Sequence, residues 1–397
     1  MIKPLLLYKK SILIVLLGVF ACLGLARFSF GMILPNMQIH LQMSATQAGI
    51  VGSANFIGYF LGLFVVGRWY LRFGVKTIII RALSTQGLAM IAMAFSSHFI
   101  FAAMFFAIAG FFGALANIAL MTHIAQIVPI SIRGRATGIV VAGIGLAVIV
   151  SGVLVPLIDQ FTELSWRASW IFFAFLVMLI AFLSHRYLAP NLGTDELKKE
   201  DTKTLPLQTI IRTCSFWQTG VLFFLFGLCA IMFMTFFVAA VEESWQFGSE
   251  ISGIFWTILG VSSIFSGPIF GAISDRFGRH TTLGLLFTLQ GVAHLLLVLS
   301  THMAGTILSA FLFGLSAWAV PSIMATLSSE LFGPFHTARI LSFITLFFGI
   351  GQIIGPLIAG VLRDLTGNFT LGFSLSAFLL WSGVFVALKG CSYNKFL

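Results

Sequence analysis

The chain has 397 residues, 59% of them hydrophobic and only 9% charged, with 44 Phe, 39 Gly and a formal net charge of +10. Soluble domains average about 25% charged residues, and 22 basic plus 12 acidic side chains cannot coat a protein of this size, so a soluble globular fold is excluded. The positive excess suits either nucleic acid or the cytoplasmic loops of a membrane protein, and its placement along the chain separates the two.

Apolar runs divided by charges, prolines and polar clusters predict crossings near 11–34, 46–68, 76–96, 99–126, 136–158 and 167–188, then 215–241, 250–271, 281–300, 303–328, 340–362 and 370–389. Each has about 20 residues or more, enough for a ~30 Å hydrocarbon core at ~1.5 Å per residue. The first run follows Lys3, Lys9 and Lys10 and reads as a retained helix, because similar runs continue to the C-terminus.

Within that run Arg27 lies 16 positions after Ser11, about 24 Å along a helix and so in the outer half of the membrane. A buried Arg at mid-helix costs about 2.5–3.5 kcal/mol on the lenient insertion scale, so it is expected to face a water-filled path or a partner. Asp159, Glu242 and Glu243 sit at helix ends rather than at its depth, which leaves the guanidinium as a bidentate site for a carboxylate, sulfonate or phosphate. Two alternatives are that it snorkels outward or pairs with Glu242 or Glu243 as an external gate. On the second crossing Asn55 and Tyr59 are spaced i,i+4 and share a face, and Asn117 lies midway along the fourth. These polar groups either line a cavity or bond between helices. The tight loop after the second crossing reads GRWYLRFGVK (67–76), and the fifth crossing carries Gly138, Gly143, Gly145, Gly152 and Pro156.

The longest polar stretch, 190–213, contains DELKKEDTK and reads as a solvated linker between an N-terminal six-helix bundle (1–189) and a C-terminal one (214–397). Beyond it, Trp256 and Trp318 fall in the eighth and tenth crossings, where they line a cavity or simply pack. The loop after the eighth reads GAISDRFGRH (271–280), and the eleventh carries Gly349, Gly351, Gly355, Pro356 and Gly360. Cysteines at 22, 214, 229 and 391 form no CxxC pair and read as small apolar residues. His123 and His294 are isolated, so neither metal nor cofactor is expected.

With the N-terminus placed in the cytoplasm, 19 of the 22 basic residues fall on the inside, while the acids split six and six. A bias confined to Lys and Arg follows the positive-inside rule, places both termini in the cytoplasm and removes nucleic acid as a partner. The halves also repeat. At a constant shift of 204, Gly49-Ile50 falls on Gly253-Ile254, Gly67, Arg72, Phe73 and Gly74 on Gly271, Arg276, Phe277 and Gly278, and Arg135 on Arg339. Parallel repeats about an axis along the membrane normal are a transporter architecture.

Taken together, the two loop copies, the 6+6 division, the linker and the glycine-rich fifth and eleventh crossings resemble the major facilitator superfamily, whose signature in this loop is Gly-x-x-x-Asp-Arg-x-Gly-Arg-Arg/Lys. The resemblance covers the whole chain. It implies an all-α polytopic fold of twelve transmembrane helices in two pseudo-symmetric six-helix bundles. The first, fourth, seventh and tenth crossings would line a central cavity, which favours substrate contact for Arg27. Arg-Phe followed by Leu-Pro in the first crossing is also similar to a bacterial branch of the superfamily.

By the same resemblance, Asp275, Arg276, Arg279, Glu330 and Arg339 match the superfamily's charge-relay in the second half. The first half departs from it, because Leu71 stands where Asp is expected and Gln126 aligns with Glu330, leaving Arg72 and Arg135 without acidic partners. The expectation is an asymmetric inside gate, latched by Asp275 against the start of the fifth crossing around Arg135 to Gly138, where the helix N-terminus favours an anion; the alternative is that these charges only solubilise the loop and satisfy the positive-inside rule. Gly143, Gly152, Pro156, Gly355 and Pro356 are expected as hinge or close-packing positions.

No phosphate-binding loop, no Ser/His/Asp constellation and no large extramembrane segment points to an enzyme. The expected function is alternating-access transport of a small organic anion by a monomer in the inner (cytoplasmic) membrane. Moving one negative charge inward costs about 2.3 kcal/mol per 100 mV, so import needs protons or a counter-anion, and export or exchange is slightly favoured. The alternatives are a proton-coupled multidrug exporter of hydrophobic compounds and a non-transporting sensor on the same fold.

Overall fold

The computed structural model describes residues 8–188, 211, 213–300, 302–332 and 337–389, so the linker expected over 190–213 lies almost entirely outside the described residues. Among these residues twelve helices are long and apolar enough to cross a membrane: α1 Lys9–His40, α2 Ala45–Phe73, α3 Val75–Ala94, α4 Phe99–Ile127, α5 Ile132–Phe161, α6 Trp166–Tyr187, α7 Cys214–Trp245, α8 Ser249–Phe277, α9 Arg279–Leu299, α10 Met303–Phe332, α11 Ile340–Thr366 and α12 Thr370–Leu388. Among the described residues there is no strand. The fold is the expected all-α polytopic membrane architecture. Side chains such as Phe378, Phe385 and Phe64 stand exposed on its flanks, as a lipid solvent permits.

With an even number of crossings, the ends of the described chain share one face, here the terminal face; the other is the distal face. Turn chemistry fixes the helix ends. Ser44 caps α2 reciprocally with Gln47, satisfying two otherwise orphaned donors. On the terminal face α2 stops at Gly74 (φ 72°) and α8 at Gly278 (φ 89°), left-handed conformations that glycine adopts without a Cβ penalty. These two glycines are the same position of the 204-residue repeat, so the repeat is one of backbone conformation as well as of letters.

The first helix is not uniform. Lys9–Val19 and Phe30–His40 are α-helical, but Phe20–Phe28 is a π-helix, and Ser29 N–H reaches back five residues to Gly24 O (3.1 Å). Wider turns of this kind concentrate at functional sites. Gln86 of α3 steadies the segment, donating to both Cys22 O and Ala109 O at 3.0 Å. The tenth helix breaks at Trp318, between Met303–Ala317 and Ala319–Phe332.

Glycines set the seams between the first six helices and the last six. A β-carbon on Gly152 would stand 2.8 Å from Gly253 O, and one on Gly145 3.1 Å from Gly260 O, which joins α5 to α8. Gly49 of α2 lies against Pro356 of α11, and Gly31 of α1 against Met234 of α7. Along α5 the stripe 138, 145, 152 advances seven residues at a time, nearly two helical turns, and so keeps one face; along α8 the antiparallel stripe is 267, 260, 253. The two distal rungs touch. Gly138 and Gly267, the rung toward the terminal face, have nothing within 4 Å of a β-carbon. The halves are therefore closed at the distal face and apart at the terminal face.

The cysteines divide. Cys22 and Cys229 are buried and free, in keeping with small apolar residues, whereas Cys214 is disulfide-bonded, which corrects the reading of all four as apolar fillers. Cys391 lies outside the described residues.

Candidate functional site

Arg27 is placed by the last turn of the π-helix and is 8% exposed. Its guanidinium lies 3.9 Å from the Phe56 ring centroid, 4.6 Å from Tyr59 and 5.5 Å from Phe28. Such cation-π contacts are worth about 2 kcal/mol or more when desolvated. Its Nη2 donates to Gln352 Oε1 of α11 at 3.3 Å, while Nε has no hydrogen-bond partner among the described residues. The external pairing with Glu242 or Glu243 is not what the structure shows. Glu243 accepts instead from Arg363 at 3.2 Å, because both stand at the distal ends of their helices while Arg27 is deeper.

Tyr59 and Asn117 join this cluster. Asn117 Nδ2 donates to Tyr59 Oη at 2.9 Å, and its Oδ1 is buried without a partner. Trp318, at the break of α10, packs against Phe28 with centroids 5.0 Å apart, and its Nε1–H is also unpartnered. Thus Arg27, Tyr59, Asn117 and Trp318 converge, with Phe56 and Gln352 added by the structure. Three buried polar atoms without partners in one cluster are what a ligand's hydrogen-bonding groups would satisfy.

Asn55 and Trp256 are not part of it. Asn55 donates to Phe106 O at 3.1 Å and ties α2 to α4. Trp256 is fully buried at the α5–α8 seam, donating to Ser151 Oγ at 3.0 Å. Asn55 and Tyr59, at i,i+4 spacing, both meet α4, Asn55 through the Phe106 carbonyl and Tyr59 through Asn117, but of the two only Tyr59 also lies under the guanidinium.

The charged loops behave differently at the two faces. On the terminal face Asp275 pairs with Arg279 (2.6 Å), which also pairs with Glu330 (2.9 Å). Asp275 is 72% exposed, and no contact with the segment Arg135 to Gly138 is described, in line with the open rung there. Arg276 and Arg72 lie over Phe277 and Phe73 at 5.4 and 5.2 Å. Arg135 is exposed, and the Arg339 side chain lies outside the described residues.

On the distal face a different latch is engaged. Asp364, near the end of α11, accepts from the backbone N–H of Ala45 (3.0 Å) and Thr46 (2.8 Å), the first residues of α2. An anion at a helix N-terminus is favoured by about 0.3–1 kcal/mol, more when partly buried. Its repeat mate, Gln160, donates to Glu250 Oε1 at 2.7 Å across α5 and α8. Sequence reasoning missed this latch, although the shift of 204 places Asp364 on Gln160 and the starts of α2 and α8 on each other.

The expected hinge residues all lie at close approaches. A β-carbon on Gly143 would meet Leu16 O of α1 at 2.7 Å, Gly355 abuts Leu228 O of α7, and Gly152 with Pro156 and Pro356 with Gly49 form the seams above.

Comparison with known proteins agrees on the class. The solved structure of a D-xylose-proton symporter superposes with a TM-score of 0.79 at 16% identity, over 98% of each chain. A bacterial homologue of the human lysosomal transporter Spinster, inward-facing and unoccupied, gives 0.70 at 12% identity, over 97% of this chain and 95% of that one. At such identities the likeness is one of fold. Among curated proteins, the hexuronate transporter of Bacillus subtilis is 25% identical over 391 residues, 91% of this chain and 88% of that protein. Monocarboxylate transporter 10 of Danio rerio is 26% identical over 257 residues, 61% of this chain and 49% of that protein. The chain spans about half the length of the monocarboxylate transporters it matches. The model of the family described as "Uncharacterised MFS-type transporter YbfB" matches residues 19–388, and on that match, with the twelve-helix fold behind it, the chain belongs to this family of major facilitator superfamily transporters.

Proposed function

We propose that the protein moves a small organic anion across the plasma membrane by alternating access, the units 1–189 and 214–397 rocking about the Arg27 cluster, with both termini cytoplasmic. The carrying observation is a guanidinium inside the bilayer whose described polar partner is the neutral Gln352 amide, with Nε left free. A carboxylate, sulfonate or phosphate entering there would neutralise the charge and fill bonds that aromatic faces cannot. The printed names of the hexuronate and monocarboxylate relatives, both of anions, support the same class. In this orientation the terminal face is cytoplasmic, the structure is inward-open, and 19 of 22 basic residues lie inside. No enzymatic step is proposed. The monomer is the transporting unit, and exchange or export avoids the ~2.3 kcal/mol per 100 mV that inward anion movement costs.

Thermal unfolding of detergent-purified wild type and Arg27→Ala against small carboxylates, sulfonates, phosphorylated metabolites and lipophilic cations tests the reading. An anion at about 100 times its Kd stabilises wild type by ~2.7 kcal/mol and leaves Arg27→Ala unmoved. Stabilisation of both proteins by lipophilic cations alone would replace the anion by a hydrophobic drug, the reading to which the partial likeness to the class H tetracycline resistance protein of Pasteurella multocida (28% identical over 31% of this chain) lends weight. Counterflow of the stabilising ligand in proteoliposomes distinguishes transport from sensing.

A further inference from the structure

A second basic site lies on the flank of the first six helices. A groove of about 370 Å³ between α2, α3 and α4 is lined by Trp69, Arg72, Phe73, Arg81 and Thr85 near the terminal face, with Phe112 and Leu115 among the apolar residues of its wall. Arg72 is the penultimate residue of α2 and Arg81 the seventh of α3, about 9 Å from that helix's start. Both guanidinium groups nevertheless reach the same ring, each 5.2 Å from the Phe73 centroid. Arg81 thus runs up toward the interface as a snorkelling side chain does. Trp69 stands against Phe73 and Phe111 at 6.1 and 6.3 Å, and Leu71, Phe64 and Leu61 beside it are 71%, 63% and 54% exposed on a membrane-spanning helix.

Among the described residues no ion pair neutralises the charge in this groove. The first 189 residues contain only two acids, Asp159 and Glu163, both toward the distal face. In the repeat's other copy Asp275 and Glu330 pair with Arg279, which falls on Val75; here Leu71 and Gln126 occupy the two acidic positions, so neither offers a carboxylate to Arg72 or Arg81, and Gln126 donates to Tyr70 Oη (2.7 Å). Two guanidinium groups beside an aromatic, near the terminal-face ends of membrane-spanning helices, with an apolar wall running toward their middle, match one ligand shape: an anionic headgroup above acyl chains.

We propose that this groove binds the headgroup phosphate of an anionic phospholipid, with Arg72 and Arg81 as its ligands and the Phe112–Leu115 wall taking an acyl chain. A soluble anion would gain the charges but leave the wall bare, and a zwitterionic lipid would fill the wall but bring its own cation to the arginines.

Native mass spectrometry of the full chain, released from detergent micelles carrying equal phosphatidylglycerol and phosphatidylcholine, reads the site directly. Wild type should retain phosphatidylglycerol in preference. Arg72→Gln with Arg81→Gln should reduce that retention about thirtyfold, as expected of two charges worth about 1 kcal/mol each at the surface, and the Lys pair should restore most of it. Arg135→Gln, which removes an exposed charge of the same face outside the groove, should retain lipid as wild type does. Both altered side chains are exposed, and an unchanged melting temperature verifies that the double variant is folded. Equal retention of the two lipids, or an equal loss in Arg135→Gln, overturns the proposal. So does a several-fold gain when the linker acids Asp195, Glu196, Glu200 and Asp201 become amides, since the linker would then be the occupant.

Discussion

At Arg27 a cation sits in the membrane against three aromatic faces and one neutral amide, and this composition of the cage determines what a substitution does. Arg27→Lys keeps the charge but loses the planar fork that stacks on Phe56 and offers Nε and Nη together. Anion affinity is expected to fall about tenfold, read as a weakened thermal shift, with the apo melting temperature little changed. Asp364 is the residue to alter at the opposite end. Asp364→Asn leaves a hydrogen-bonding side chain at the start of α2 but removes the charge that favours it, which is worth about 0.3–1 kcal/mol. A cysteine at Ser53, whose hydroxyl donates to Ile353 O across the seam (2.6 Å), should then react two- to fivefold faster with an impermeant maleimide added at the distal face, in a chain whose native cysteines are serine. Arg27 was legible in the sequence because a charge inside an apolar run is costly and therefore has a reason. Gln352 and Phe56 were not, since an amide or a phenylalanine among so many apolar residues carries no such signal until the fold brings it to the guanidinium.

Among the elements, the helices were legible as apolar runs, but their ends were set by something else. The expected second and eighth crossings stop at 68 and 271, where charges and polar residues interrupt hydropathy, yet α2 and α8 run on to Phe73 and Phe277. A charge ends an apolar window without ending a hydrogen-bond ladder, and Gly74 and Gly278 are what end it. The π-segment of α1 had no signature, because its wider register depends on α3 supplying Gln86 to Cys22 O. Two predictions belong at this scale. Ser44→Ala removes half of the capping box and should cost about 1 kcal/mol, seen as a fall of about one degree in the melting temperature. Gly152→Leu overfills the α5–α8 seam, a change that typically costs 1–3 kcal/mol, and should move spin labels at Phe161 and Ile254 apart in double electron-electron resonance. Gly67→Leu, which has open space around it, should leave that distance unchanged.

For the molecule as a whole, the two halves and their repeat were readable from one shift of 204 residues, whereas the conformation was not. Two arrangements of one chain can differ by only a few kcal/mol and share every letter, so letters alone do not choose between the expected Asp275 contact with α5, absent among the described residues, and the Asp364 contact that is made. The structure shows the state in which the second is made. The stripe of Gly138, Gly145 and Gly152 against Gly267, Gly260 and Gly253 has two rungs in contact and one apart. A bulky side chain at Gly138 meets nothing in this state, so Gly138→Leu should melt like wild type and bind ligand from the terminal face. In the proposed alternating-access cycle its obstruction arises only when the third rung closes, and counterflow in proteoliposomes should then fall at least tenfold. Tolerance of that substitution is therefore a property of the cycle rather than of the fold, and a screen that scores folding alone would pass a protein that can no longer turn over.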